Sequence, residues 1–215
     1  LRMGVWYRGK GDLERAESAY LSALRLDPDN APAHNNMGNL QRSRAQMDGA
    51  EQSYLKALAI LPAYAEAMIN LATLYSARGQ LDEALKLYKR ALPLSGERAE
   101  IYNNMGITYL RLNDFPAAEK ALRRALALQA GEAGIYRNLG GALEGQGRMG
   151  EALRSYERAL QVDPGYAKAH YELGRLYEKM GRREAALRAY GDFLRYWRGE
   201  PELAAQVRSQ RRRLE

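Results

Sequence analysis

The sequence predicts an all-α fold, a solenoid in which short helices pack as successive antiparallel pairs. The first observation is an internal repeat of 34 residues, since "LRLDPDNAPAHNNMGNL" at 24–40 and "LQVDPGYAKAHYELGRL" at 160–176 share one frame. The second is that apolar residues recur three and four residues apart, as on one face of a helix. The composition agrees, because only two of the 215 residues are Phe, and abundant Ala, Leu and Arg favour helices over strands. A repeat of this length predicts about a dozen helices of about 12–15 residues.

Six repeats, the first of them incomplete, divide the chain. We expect them at residues 1–30, 31–64, 65–98, 99–132, 133–166 and 167–200, followed by a capping helix at 201–215. The eighth position is small in every repeat: Gly4, Gly38, Ala72, Gly106, Gly140 and Gly174. The twentieth position is always alanine: Ala16, Ala50, Ala84, Ala118, Ala152 and Ala186. The twenty-fourth is large: Tyr20, Tyr54, Tyr88, Leu122, Tyr156 and Tyr190. Small and large residues at fixed places suit two helices that pack closely within each repeat.

This arrangement resembles the tetratricopeptide repeat family, whose unit is a helix–turn–helix of 34 residues. The resemblance implies a right-handed superhelix of six units that acts in protein–protein interaction. Pro28, Pro62 and Pro164 agree with it, because each stands where a second helix should end. Gly96 and Ala130 take that place in repeats three and four, so we expect those joints to be less sharply defined.

The two ends of the chain depart from the repeat. Leu1 falls at the fifth position, which indicates a truncated first helix and a fragment of a longer chain. Phe193 replaces the alanine found at the twenty-seventh position of the other repeats, as expected where no seventh repeat packs. The final segment starts a helix at its proline and carries one apolar stripe, which consists of Leu203, Val207 and Leu214. It is predicted to cap the last apolar face, and exposed terminal repeats could also pair in a homo-oligomer.

No catalytic, metal or cofactor site is expected. The string "GQGRMG" at 145–150 has the spacing of a dinucleotide fingerprint, but a helical segment precedes it where a strand is needed. Gly147 falls instead at the turn between two helices. His34 and His170 share the fourth position of repeats two and six, which favours packing over a shared metal. The chain has no cysteine, and no apolar stretch approaches the roughly 18 residues of a membrane span.

The first helices of such arrays line a concave groove. The sixth position of four successive repeats is asparagine: Asn36, Asn70, Asn104 and Asn138. A row of amides can donate to and accept from the backbone of an extended peptide. The row resembles the asparagine ladder of the O-GlcNAc transferase superhelix. The alternative is that asparagine here serves local helix contacts and is typical of the family.

Charge is concentrated towards the C-terminus. Residues 167–215 hold twelve Lys and Arg against seven Asp and Glu, within a net charge of +7 for the whole chain. Lys168, Arg175 and Lys179 lie at groove positions, which favours an acidic peptide. The terminal "RSQRRRLE" is interpreted as a solvated helix. Nucleic acid is disfavoured as a partner, because no aromatic residues interleave with these arginines.

Repeat five carries glycine at three groove positions, namely Gly134, Gly141 and Gly145. Each glycine costs the helix about 1 kcal/mol relative to alanine, but without Cβ atoms a ligand could approach the groove floor closely. The alternative is drift in a tolerant surface helix. The hollow interpretation places the main binding pocket at repeats four to six. We expect the whole peptide-binding groove to include Asn36, Asn39, Asn70, Thr73, Asn104, Ile107, Arg111, Asn138, Gly141, Gly145, Lys168, Tyr171, Arg175 and Lys179.

These observations predict a non-catalytic scaffold that binds an extended, acidic peptide segment of a protein partner in its groove, without a cofactor. Two alternatives stay open. The chain could be the targeting or substrate-recruiting arm of a larger multidomain enzyme, such as a glycosyltransferase. It could also be an RNA-binding solenoid, whose binding would then be sensitive to salt.

Overall fold

The computed structural model describes residues 1–215. It is 80% helical and contains no strand, which confirms the predicted all-α superhelical repeat. The thirteen helices are α1 Arg2–Gly9, α2 Leu13–Leu26, α3 Ala31–Ser43, α4 Met47–Ile60, α5 Ala65–Ala77, α6 Leu81–Ser95, α7 Ala99–Arg111, α8 Phe115–Leu128, α9 Ala133–Gly145, α10 Met149–Val162, α11 Ala167–Lys179, α12 Arg183–Tyr196 and α13 Pro201–Leu214. Apart from α1, each has 13 to 15 residues, in agreement with the predicted lengths.

The chain forms two compact halves. The N-terminal half is Leu1–Ile101 and the C-terminal half is Tyr102–Glu215, with the boundary inside α7. In the N-terminal half, α1 pairs with α2, α3 with α4 and α5 with α6, and α3 also touches α5. In the C-terminal half, α9 pairs with α10 and α11 with α12, while α9 also contacts α8 and α11. Each half is thus a stack of helix pairs in which first helices neighbour first helices.

Within a pair, the side chain at position twenty-four lies directly on the glycine at position eight. A Cβ added to Gly38 would lie 2.5 Å from Tyr54 Cε1, well inside van der Waals contact, and Tyr54 is fully buried. The same overlap occurs for Gly4 with Tyr20, Gly106 with Leu122, Gly140 with Tyr156 and Gly174 with Tyr190. The small residue of the repeat is therefore the seat for the large one.

The turn between the two helices of a repeat requires a left-handed backbone at position fifteen. Gly147 has φ of 75° there, a region that glycine enters without steric cost. Ala45 and Asn113 hold the same position in repeats two and four with φ of 59° and 58°. Gly147 thus follows helix α9 and forms a turn. This position explains why the apparent nucleotide fingerprint has no strand before it.

The second helices end where the prolines predict. Helix α2 stops at Leu26 and α10 at Val162, two residues before Pro28 and Pro164 respectively. Both histidines bond to these turns, because His34 Nε2 lies 2.8 Å from the Pro28 carbonyl oxygen and His170 Nε2 lies 2.9 Å from that of Pro164. Each histidine therefore bonds to the turn that precedes its own repeat.

Helix α13 packs against α12 at the end of the chain. Val207 is fully buried with Phe193 and Tyr190, and Leu203 and Leu214 pack around them. The larger side chain at position twenty-seven of repeat six therefore meets α13 where a further repeat would otherwise pack. None of the thirteen helices has both the length and the apolar character needed to cross a membrane.

Candidate functional site

The asparagines of the predicted row bond to neighbouring repeats. Asn70 Nδ2 donates to Asn35 Oδ1 at 2.9 Å in the N-terminal half. Asn138 Nδ2 donates to Asn103 Oδ1 at 3.0 Å in the C-terminal half. Each bond joins the sixth position of one repeat to the fifth position of the repeat before it. Part of the row therefore holds adjacent first helices together, as in the local-contact interpretation of these residues.

Position nine of the first helix is where the tyrosine hydroxyl of the second helix emerges. Tyr54 donates to Asn39 Oδ1 at 2.8 Å, and the Tyr88 hydroxyl is hydrogen-bonded to Thr73 Oγ1 at 3.0 Å. Burial raises the pKa of Tyr88 to about 12 because the phenolate would be poorly solvated there. Asn39 and Thr73 are thus already engaged by buried, neutral tyrosines of their own repeats.

In repeats five and six, the acceptor of the tyrosine hydroxyl lies three residues further along the first helix, at position twelve. Position nine of repeat five is Gly141, which has no side chain, and Tyr156 donates to Glu144 Oε2 at 3.1 Å. In repeat six, Tyr190 donates to Glu178 Oε2 at 2.8 Å. Burial and then the charge of Glu144 raise the pKa of Tyr156, so this hydroxyl keeps its proton. Glu144 is consequently held at the edge of the gap that Gly141 leaves.

A cavity of about 280 Å³ opens at this gap within the C-terminal half. Five of the predicted groove residues line it: Asn138, Gly141, Gly145, Arg175 and Lys179. The remaining walls come from Leu110, Arg137, Glu144, Tyr156 and Glu172. The cavity thus combines side chains from three first helices with the hydroxyl end of one tyrosine from a second helix.

The two glycines of the cavity have different surroundings. A Cβ on Gly141 would have nothing closer than the Tyr156 hydroxyl oxygen at 3.9 Å, so the space there is open. A Cβ on Gly145 would overlap the ring of Phe115 and lie 2.6 Å from its Cγ. Gly134 has only the Tyr166 hydroxyl within reach, at 3.7 Å. The predicted hollow therefore lies at Gly141, whereas Gly145 makes room for Phe115.

The charges at the cavity are paired. Lys179 forms an ion pair with Glu144. Arg175 Nη1 lies 2.8 Å from Glu172 Oε2, and Arg137 Nη1 lies 3.8 Å from Glu172 Oε1. Two carboxylates thus accompany the three cations of the cavity, of which Arg175 and Lys179 belong to the predicted groove.

Two details show how firmly these charges are held. Burial opposes the charge on Arg175, but the attraction of Glu172 and Glu144 outweighs it and raises the pKa of Arg175. The Nε of Arg137 is buried without a hydrogen-bond partner. The cavity therefore carries one excess positive charge.

The other predicted residues lie outside this cavity. Lys168 and Arg111 are exposed, and Asn104 and Ile107 are half-buried. Tyr171 packs against Phe193 with ring centres 5.6 Å apart, beneath the guanidinium of Arg175. Asn36, Asn39, Asn70 and Thr73 belong to the N-terminal half.

Five lining residues lie outside the predicted groove set, namely Leu110, Arg137, Glu144, Tyr156 and Glu172. The sequence identifies Tyr156 only as a packing residue, because position twenty-four is large in all six repeats. A signal for Glu144 existed in the sequence. Once position nine is glycine, a tyrosine hydroxyl that needs an acceptor must find it one helical turn away, at position twelve.

The repeats of this chain match known family models. Family models described as tetratricopeptide repeat match residues 29–97 and 65–130 and residues 169–206. A model described as TPR repeat matches residues 6–43 and 145–181. Together these matches cover most of the chain. No curated protein matches it by sequence.

Several solved structures are similar to the chain. MamA, known from a crystal structure, is 28% identical to this chain. The match covers 77% of this chain and 91% of MamA, with a TM-score of 0.66. YrrB, described as a TPR protein with an unusual peptide-binding site, is 25% identical, with coverage of 89% and 98% and a TM-score of 0.67. The type IV pilus biogenesis factor PilW is 21% identical, with coverage of 96% of both chains and a TM-score of 0.87. At that identity the PilW likeness concerns the fold alone.

Proposed function

Because the chain belongs to the tetratricopeptide repeat family, whose members are generally non-catalytic interaction scaffolds, we propose that it binds an extended, acidic peptide segment of a partner protein. The peptide would lie along the first helices, and one of its side chains would enter the cavity at Gly141. The observation that carries this proposal is that cavity, in which an open helix surface meets three cations.

The cavity has the size and shape for a single side chain. Its volume of about 280 Å³ is small for a drug-sized ligand, since pockets for such ligands span about 300–1,000 Å³. Gly141 presents bare backbone at the cavity wall, which allows close approach of a ligand group. Leu110 supplies apolar contact for the carbon atoms of that group.

The paired cations can still receive a carboxylate from a ligand. The side chains of Lys179 and Arg175 are 49% and 38% exposed, whereas those of their partners Glu144 and Glu172 are 10% and 19% exposed. A ligand can therefore reach the cations more readily than the carboxylates. A ligand carboxylate would therefore join these cations as an additional partner, while Glu144 and Glu172 stay in place. The excess positive charge favours an acidic side chain over a basic one.

The asparagines keep hydrogen-bonding capacity for a peptide backbone. A carboxamide has two N–H donors and an oxygen that can accept twice. Asn70 and Asn138 each spend one donor on the neighbouring repeat, so a second donor and the oxygen are left over. Similarity to YrrB, a TPR protein described as having a peptide-binding site, also supports a peptide ligand.

Peptide selection tests the proposal. Phage-displayed random peptides selected on the wild-type protein should converge on sequences rich in Asp and Glu. Gly141→Leu, which fills the cavity, should weaken binding of a selected peptide by about tenfold or more, as expected for losing about 1.4 kcal/mol. Gly191→Leu is the matched control, because Gly191 in α12 also has open space around it but lies on a second helix. Basic consensus peptides, or equal effects of the two substitutions, would refute the proposal.

A further inference from the structure

The second helices carry a pattern of positive charge that lies outside the first-helix cavity at Gly141. In repeats three, four and five, positions twenty-two and twenty-six are both cationic: Lys86 and Arg90, Lys120 and Arg124, Arg154 and Arg158. Residues four apart lie side by side on a helix, and like charges there destabilise it by about 0.2–0.5 kcal/mol. Helix stability therefore does not account for the pattern.

In the C-terminal half, the cationic pair of repeat five, Arg154 and Arg158, borders a groove between α8 and α10. The groove has a volume of about 350 Å³. Arg154 and Arg158 line one side and Arg123 the other, with Glu151 as the only carboxylate of the lining. The floor is formed by apolar and aromatic side chains, namely Leu126, Tyr136, Leu139 and Leu143.

The N-terminal half contains an equivalent groove between α4 and α6. Its volume is about 460 Å³, and Lys86 and Arg90 stand on its rim beside Glu83. Its floor includes Leu58 and Leu71, which occupy the same repeat positions as Leu126 and Leu139. The same combination of apolar floor and cationic rim is thus built twice, from different residues.

The rim of the α8–α10 groove is incompletely neutralised by the protein itself. Arg123 pairs with Glu119 at 2.8 Å. Arg158 donates to the neutral amide of Gln161 at 2.6 Å, and both Arg154 and Arg158 are exposed. Because Arg123 pairs with Glu119 and Arg148 pairs with Glu151, Arg154 and Arg158 are the excess positive charge of the groove, which an anionic partner would complement.

We propose that the α8–α10 groove is a second docking site, which takes an acidic protein segment carrying apolar side chains. A phosphate backbone would use the arginines but leave the apolar floor uncovered. A flat membrane surface would not reach a recessed floor. An acidic segment with leucine-like side chains satisfies both parts of the groove at once.

This site is separate from the one at Gly141. Helix α9 presents Asn138 and Gly141 to the first-helix cavity, and Leu139 and Leu143 to the α8–α10 groove. Two partners could therefore occupy the C-terminal half at the same time. The second site does not depend on the function proposed for the first.

The test uses a fluorescein-labelled peptide that alternates Leu with Asp–Glu pairs, measured by fluorescence anisotropy. Arg154→Glu with Arg158→Glu should weaken its binding by about tenfold or more. Arg212→Glu with Arg213→Glu, the same charge change on α13, should change it by less than about twofold. All of these measurements are made in the Gly141→Leu background, where the first cavity is filled, so that peptide binding reports the α8–α10 groove alone. Circular dichroism should show equal helicity for all variants.

Two further probes define the chemistry. Replacing Leu by Ser in the peptide should weaken binding by about tenfold, since the floor loses its apolar contacts. A peptide with Lys in place of Asp and Glu should bind the Arg154→Glu, Arg158→Glu variant better than the wild-type protein. The proposal is overturned if the α13 variant loses as much affinity, if the Ser peptide binds equally well, or if polyuridylate RNA displaces the peptide at equal concentration.

Discussion

Gly140 and Gly141 are neighbours in α9 with opposite surroundings, so their alanine variants should behave differently. Replacing a helical glycine by alanine stabilises the helix by about 1 kcal/mol. At Gly141 the new methyl group finds nothing within 3.9 Å, and the full gain is expected. At Gly140 it overlaps the ring of Tyr156, which is 1% exposed and cannot turn towards solvent. Overpacking costs about 1–3 kcal/mol, so Gly140→Ala should lower the free energy of unfolding by up to about 2 kcal/mol.

Urea unfolding followed by circular dichroism would measure this difference. The two variants should differ by at least about 1 kcal/mol, or roughly 2–4 °C in Tm for a chain of this size. Gly145→Ala should resemble Gly140→Ala, because its methyl group would meet Phe115. Repeat three gives the reciprocal case, since Ala72 already occupies the eighth position and Ala72→Gly should cost about 1 kcal/mol. Equal stabilisation by Gly140→Ala and Gly141→Ala would refute the reasoning that the tyrosine ring selects glycine.

Three other predictions concern the polar and terminal contacts. A double-mutant cycle on Asn103 and Asn138 should give a coupling of about 0.5–1.5 kcal/mol in unfolding free energy, whereas additive effects would contradict the amide–amide bond. Burial raises the pKa of Tyr88 to about 12, above its unfolded value of about 10. Its contribution to stability is therefore complete below about pH 10 and is lost as the pH rises through about 12. Thermal melting over that range should fall more steeply for the wild-type protein than for Tyr88→Phe, and parallel curves would argue against it. Val207→Asp should lower the free energy of unfolding by at least about 1.5 kcal/mol, and an unchanged urea midpoint would show that α13 adds no stability.

The repeat makes the helices predictable because each position has one local task. The left-handed turn at Gly147 illustrates this, since its place in the repeat identifies it without any knowledge of the fold. Ala45 and Asn113 show the limit, because the same turn forms there without glycine. Position in the repeat therefore predicts backbone conformation better than residue type does.

The cavity was harder to predict because its chemistry depends on contacts between repeats. The pair of Lys179 with Glu144 and the contact of Phe115 with Gly145 both join residues about one repeat apart. Their formation depends on how far neighbouring helices are offset and on the rotamer that each side chain adopts. A single sequence gives the helical face of a residue, but not which neighbour its end group reaches.

In repeats two, three, five and six, the tyrosine at position twenty-four links the interior of the repeat to its surface. Its ring lies in the core, while its hydroxyl is hydrogen-bonded to a side chain at position nine or twelve of the first helix. Asn39, Thr73 and Glu144 are three such partners, and each gives its repeat a different polar group. The groove of this protein can thus diversify in evolution at positions nine and twelve while the packed ring stays in place, so that new ligand specificity need not be traded against stability.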